Sequence, residues 1–192
     1  MKISVAMCTY NGAKYLQEQI DSILMQDLKV DEIIVCDDGS TDDTIKILNS
    51  FDENYPNLFH IYKNEVNLKS VKNFEKAISL CTGDLIFLSD QDDVWMANKT
   101  KVIHAYFHEN ADAEAICSNG KIIDENGKDL DRLTIWSVPR LLRDHNIEVN
   151  YFNIIAYIEN IATGAGMAFR SKIKNEILPV PTASGFHHRS EE

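Results

Sequence analysis

Features that would announce several common chemistries are scarce in this sequence. The chain holds four cysteines, Cys8, Cys36, Cys81 and Cys117, widely spaced and without a CxxC pair, which excludes a disulfide framework or a cysteine-built zinc site. They read as reduced core thiols with no chemistry assigned to them. Positive charge is also short: 19 Lys and Arg against 30 Asp and Glu give a formal net charge of -11, the opposite of what a phosphate-backbone binder needs, so nucleic acid is not an expected partner. There is no GxGxxG and no GxxxxGK[ST], and no HExxH surrounds His104 and His108, so dinucleotide, P-loop and zinc-protease chemistry lose their usual signatures. No apolar run reaches the ~18 residues of a membrane span, and the first run is too short for a signal peptide. A cytoplasmic chain is expected, with peripheral contact at the inner membrane face left open.

What is present is a regular alternation. Ile3 to Cys8 is an apolar, β-rich run stopped by "TYNG", and Ala13 to Met25 carries Leu16, Ile20, Ile23 and Leu24 at helical spacing. The pattern repeats with a strand at Ile33 to Cys36, the turn Asp37-Asp38-Gly39-Ser40, and a helix from Asp42 or Asp43 to Leu48 with Ser40 or Thr41 as N-cap. It continues with a strand at Leu58 to Tyr62, a helix from Val71 to Leu80 closed by Gly83 as a C-cap, and a strand at Leu85 to Leu88. Strands alternating with helices predict an α/β fold, a mainly parallel sheet with helices on both faces and ligands beyond the carboxyl ends of the strands. Later elements are a helix at Lys99 to His108, a short strand at Ala115 to Cys117, a hairpin turn at Asn126-Gly127, a helix at Tyr151 to Ile161, a strand in "GAGMAF" and a helix at Lys172 to Ile177.

The strand at Leu85 runs into "SDQDDVW", three carboxylates within four residues. Like charges that close raise one another's pKa unless a cation sits among them. Hard carboxylate oxygens at the end of a strand suit Mg²⁺ or Mn²⁺, and an open site of this kind shares its metal with a diphosphate. Thr9-Tyr10-Asn11, Asp37-Asp38 and Asp90 to Asp93 all follow strand ends, so they converge on one crevice.

Taken together and in order, "SVAMCTYNGAKYLQEQIDSILMQ", "EIIVCDDGSTDDT" and "GDLIFLSDQDDVW" resemble the nucleotide-sugar half of a family 2 glycosyltransferase with the GT-A fold, and the SDQDDVW form is most similar to bacterial rhamnosyltransferase-like members. The resemblance is dense over residues 1–101 and diffuse beyond. It implies that Thr9, Tyr10 and Asn11 line a nucleoside pocket, that Asp38 accepts from a pyrimidine base, and that Asp37 braces the turn. It places Asp90 near the ribose and metal waters and Asp92 on the metal, with Asp93 either assisting there or capping the next helix. Lys69 is either a nucleotide contact or a solvated loop lysine, and Tyr10 and Trp95 are aromatics that could stack, Trp95 being better explained as core. The implied reaction is inverting, metal-dependent transfer of a sugar, rhamnose in the nearest likeness, from a dTDP- or UDP-sugar to a hydroxyl of a cell-surface glycan or lipid-linked acceptor. A nucleotidyltransferase would instead need a basic Gly-rich loop, and only Lys14 stands near Gly12.

"ATGAGMAF" is similar to the acceptor-side strand of the family. After "ILPVP" the family pattern leads to a His-Asp pair whose carboxylate is the base. Here His188 matches the His but Arg189 stands in the Asp position, with Glu191 and Glu192 following. The catalytic base is therefore unassigned. Residues 1–181 are expected to form one domain, 1–101 binding the donor and 102–181 an incomplete acceptor side, with 182–192 a disordered tail. The C-terminal part reads as truncated, and the alternative function is a catalytically impaired nucleotide-sugar-binding module.

Overall fold

The computed structural model describes residues 1–134, 136–150 and 163–180. The helix expected at Tyr151 to Ile161, residues 182–192 and His188 lie outside them.

Four parallel strands form the frame: β1 (Ile3–Thr9), β2 (Glu32–Asp37), β3 (Phe59–Lys63) and β4 (Leu85–Ser89), linked by α1 (Leu16–Leu24), α2 (Thr44–Asn54) and α3 (Lys69–Leu80). Then follow α4 (Lys99–Glu109), β5 (Ala115–Cys117), α5 (Ser137–Asp144), β6 (Met167–Arg170) and α6 (Lys174–Ile177). β6 runs antiparallel to both β4 and β5, giving a six-stranded sheet in the order β3-β2-β1-β4-β6-β5. The mainly parallel α/β sheet expected from the alternation is the one observed.

Side-chain alternation along the strands divides the core in two. Ile3, Val5 and Met7 of β1, Ile33 and Val35 of β2, and Leu85 and Phe87 of β4 point to the face covered by α1, α2 and α4, where they meet Leu16, Ile20, Leu48 and Phe107. Ala6 and Cys8, Ile34 and Cys36, and Ile86 and Leu88 point to the other face, under Ala77, Ile78 and Cys81 at the end of α3 and Ile173. Both faces of the inner strands are dry, which is why they read as unbroken apolar runs. Each fully buried aliphatic or aromatic side chain there contributes about 1.5–3 kcal/mol.

The structure corrects several local expectations. α2 continues past Leu48 to Asn54 because Phe51 supplies one more buried turn, stacked on Phe59 with ring centroids 5.8 Å apart. Neither Ser40 nor Thr41 caps that helix. The cap position is Asp43, whose side chain makes no capping bond; Asp42 Oδ1 accepts from Thr44 N–H at 3.0 Å, and the Ser40 hydroxyl donates to Asp37. Gly83 is not a C-cap: α3 ends at Cys81 in extended backbone, and a Cβ on Gly83 would stand 2.5 Å from Ser4 Oγ, so glycine is required there by close approach to β1. "GAGMAF" is a strand only from Met167. Its glycines form a single 3-10 turn, and a Cβ on Gly166 would meet the Ser118 carbonyl oxygen at 2.5 Å.

Candidate functional site

The carboxyl ends of β1, β2 and β4 are neighbours in the sheet, so the three sequence motifs meet as expected. Thr9 is buried and its hydroxyl donates to Asp37 Oδ2 at 2.8 Å. Asp37 also accepts from Gly39 N–H, Ser40 N–H and Ser40 Oγ. Gly39 has φ +90°, which this tight turn needs and a side chain resists. Asp37 is thus the brace of the turn. Asn11, at φ +49°, donates its N–H to Ser40 Oγ and accepts from Thr41 N–H through Oδ1 at 2.8 Å. Thr9 and Asn11 therefore hold loop to turn, while Tyr10 between them is 51% exposed.

Asp38 is buried, and its carboxylate accepts from three donors of the following loop: Asn64 Nδ2 at 2.8 Å, Leu68 N–H at 2.7 Å and Lys69 N–H at 2.8 Å. Asn64 links this carboxylate to Asn73 and Lys76 on α3. Lys69 opens α3 at φ +66°, a conformation costly for lysine that the bond to Asp38 over-determines.

In the acidic turn burial acts first and crowding adds to it. Burial pushes the Asp90 carboxyl up to about 6, and Asp93 and Asp92 add to the shift. Asp93 is raised by burial and then by Asp92, with the Lys99 ammonium opposing, and its Oδ2 is buried without a hydrogen-bond partner. Burial pulls Lys99 down to about 8 against the attraction of Asp93. Asp92 is exposed and faces a cavity of about 210 Å³ whose wall includes Tyr15, Glu18, Asp124 and Glu125. Among the described residues no group of three or more His, Cys, Asp or Glu side chains is arranged to hold a metal ion. Trp95 is core, 4% exposed and tilted against Phe87 at 5.8 Å.

Two residues that sequence reasoning passed over organise this end of the sheet. Gln91 clamps the Tyr10 backbone with both ends of its amide, accepting from Tyr10 N–H at 2.8 Å and donating to Tyr10 O at 3.0 Å. A Cβ on Gly12 would collide with that Gln91 side chain, so Gly12 and Gln91 are a matched pair. Lys99, the first residue of α4, extends its ammonium over the Trp95 ring at 4.0 Å and donates to the Ala165 carbonyl at 2.8 Å. A signal for Lys99 was available: a cation at a helix N-terminus opposes the helix dipole and asks for another reason to be there.

Elsewhere the thiols are inert. Burial raises Cys8 well beyond the ordinary thiol range, Cys36 to about 11 and Cys81 to about 12, so none is a thiolate at neutral pH. No helix among the described residues is long and apolar enough to cross a membrane. The expected hairpin is present, with Gly127 at φ +76° between the bridged Ile123 and Asp129.

The dTDP-rhamnosyl transferase RfbG of Shigella flexneri is 37% identical over 50% of this chain and 34% of its own. The fold is shared with the S. aureus protein TarS, solved with UDP, at TM-score 0.67 and 22% identity over 92% of this chain and 48% of TarS. It is also shared with the mannosyltransferase PcManGT of Pyrobaculum calidifontis, solved with GDP-Man and Mn²⁺, at TM-score 0.66 and 20% identity over 95% of this chain and 48% of that one. The chain spans about half or less of the length of the curated relatives it matches. The sequence profile described as Glycosyl transferase family 2 matches residues 4–178. This α/β chain with a GT-A-like sheet belongs to the family 2 glycosyltransferases.

Proposed function

We propose that this chain is the donor-binding part of an inverting, metal-dependent glycosyltransferase that moves a sugar from a nucleoside diphosphate to a hydroxyl of a bacterial cell-surface glycan. The observation that carries this reading is the joining of the Tyr10 loop, the Asp37-Asp38 turn and the acidic turn by side chains dedicated to that purpose: Thr9 and Asn11 on one side, Gln91 on the other. A crevice built this way at adjacent strand ends suits an extended ligand with a base at one end and a diphosphate at the other.

An ionised carboxylate has about four acceptor positions, and the three loop donors on Asp38 leave room for one incoming N–H of a pyrimidine. Tyr10 offers an exposed ring for the base or sugar. Asp90, less exposed than Asp92, is the proposed ribose contact. Lys69, with its backbone tied to Asp38, is the proposed further contact to the nucleotide.

A divalent cation fits the acidic turn. The donors are hard oxygens, and the Asp93 Oδ2 is buried without a partner. The absence of a three-ligand cluster among the described residues agrees with Mg²⁺ or Mn²⁺, which use one or two carboxylates and complete their shell with water and phosphate oxygens. Asp92 and Asp93 would hold it. When bound, the ion would neutralise charge on the departing diphosphate. The chain's own part is to align donor and acceptor, and the small residues Gly164-Ala165-Gly166 beside Asp90 allow an acceptor sugar to come close. No described residue is assigned as the base that takes the acceptor proton.

The relative named for dTDP-rhamnosyl transfer supports rhamnose as the sugar and dTDP as the carrier. Calorimetric titration of dTDP and UDP, in Mn²⁺ and then in EDTA, tests the reading. Metal-dependent binding of either is expected and identifies the base. Binding of neither would remove the donor site.

A further inference from the structure

Lys99 has no role in the function argued so far, yet its placement is specific. It opens α4, where the helix dipole disfavours a cation. Its ammonium lies over the Trp95 ring and donates to the Ala165 carbonyl. Asp93, whose buried Oδ2 has no hydrogen-bond partner, is the carboxylate whose charge attracts it. The Ala165 carbonyl belongs to the Gly164–Gly166 turn, and the Cβ that Gly164 lacks would stand 3.8 Å from Asp90 Oδ2. One side chain therefore connects the acidic turn, the aromatic under it and the small-residue turn facing it.

We propose that Lys99 is a positioning residue, the built-in cation that balances Asp93 in the empty site, sets how tightly the acidic turn takes a divalent ion, and tethers the Gly164–Gly166 turn across from Asp90. The part concerning the ion rests on the metal reading above. The balance and the tether do not. A fixed positive charge beside a cation site weakens that site, so removing it strengthens ion binding. A residue that merely filled space would weaken everything together.

Two measurements separate these claims. The first is calorimetric titration of Mn²⁺ alone into wild type, Lys99→Met and Lys99→Arg. Lys99→Met is expected to bind Mn²⁺ roughly three- to tenfold more tightly, an order-of-magnitude figure for one nearby charge at intermediate dielectric, and Lys99→Arg to stay near wild type. Equal affinity in all three overturns the electrostatic role. The second is a thermal-melting cycle in EDTA with Lys99→Met, Asp93→Asn and the double variant. Neutralising Asp93 is expected to restore about 3 °C of what Lys99→Met loses. Strictly additive shifts overturn the balance. If wild type itself takes no Mn²⁺, the metal reading fails alone, and the EDTA cycle still decides the Lys99–Asp93 pair. If Lys99→Met does not fold even with Asp93→Asn, Lys99 is a structural strut and the inference falls.

Discussion

The two ends of the sheet treat buried carboxylates in opposite ways. At the amino end, Glu32 of β2 is buried between β1 and the loop before β4, where it accepts from Ser4 Oγ, from both the N–H and the hydroxyl of Thr82, and from Lys2 Nζ. Burial alone would raise it, but those donors outweigh burial and hold its carboxyl at about 2. At the carboxyl end Asp90 and Asp93 are half-buried, with no such set of donors, and burial together with the other acids of the turn raises them, Asp90 to about 6. Burial is common to both ends. The supply of donors differs, and it separates a carboxylate that holds the fold together from carboxylates kept in an unfavourable state, as sites for cations and substrates commonly are.

Breaking the satisfied end should have the largest effect. Glu32→Gln leaves donors of Thr82 and Lys2 facing an amide nitrogen, and is expected to cost about 2–4 kcal/mol, seen as a melting temperature lower by about 5–15 °C. The pH dependence has a definite sign. A depressed carboxyl stabilises the native state fully above its ordinary range and loses that contribution as pH falls toward about 2. The gap between wild type and Glu32→Gln should therefore be widest near neutrality and close progressively below about pH 5. A gap that is constant with pH would show that Glu32 acts by shape, not by charge.

Relieving the crowded end should do the reverse. Asp92→Asn is expected to leave melting unchanged or slightly raised, because it removes repulsion from Asp90 and Asp93, while metal-dependent donor binding weakens by about a hundredfold, or ~2.7 kcal/mol. Unchanged metal dependence in that variant would refute its assignment. A smaller change comes from the staple between the motifs: Gln91→Ala loses two hydrogen bonds to Tyr10 and should weaken donor binding about tenfold by loosening the loop, with little change in melting. The least consequence is expected from Lys14→Met, which removes an exposed ion pair with Glu125. Exposed pairs are offset by entropy and screened by salt, so no measurable change in melting should follow.

The same contrast explains what the sequence made legible. β1, β2 and β4 could be read because both of their faces are dry and each run ends in turn-forming Asn, Asp or Gly. Motif order then predicted that Thr9-Tyr10-Asn11, Asp37-Asp38 and Asp90 to Asp93 meet. Sequence did not reveal which side chains face the ligand and which tie the loops. Thr9 and Asn11 are committed to hydrogen bonds within the site, and Gln91 is the staple, because partners 28 to 81 positions away are set by strand register. Glu32 was invisible for the same reason: a glutamate at a strand start looks like a solvated edge until Ser4 and Thr82 are brought to it. The acid crowding at Asp90 was legible because it is local, and Lys99 was missed because its partner Ala165 lies 66 residues away.

The reversed strand β6 has a consequence for how the protein is made. β4 pairs on one side with β1 and on the other with β6, Leu85 opposite Arg170 and Phe87 opposite Ala168. At ribosomal rates of about 5–20 residues per second, β4 leaves the tunnel roughly 4–16 s before β6 exists to cover it. For that interval Leu85-Ile86-Phe87-Leu88 is an open, apolar sheet edge, the kind of strand that recruits other chains. Aggregation during synthesis should therefore respond to substitutions in this one edge more than to any in the outer strand β3.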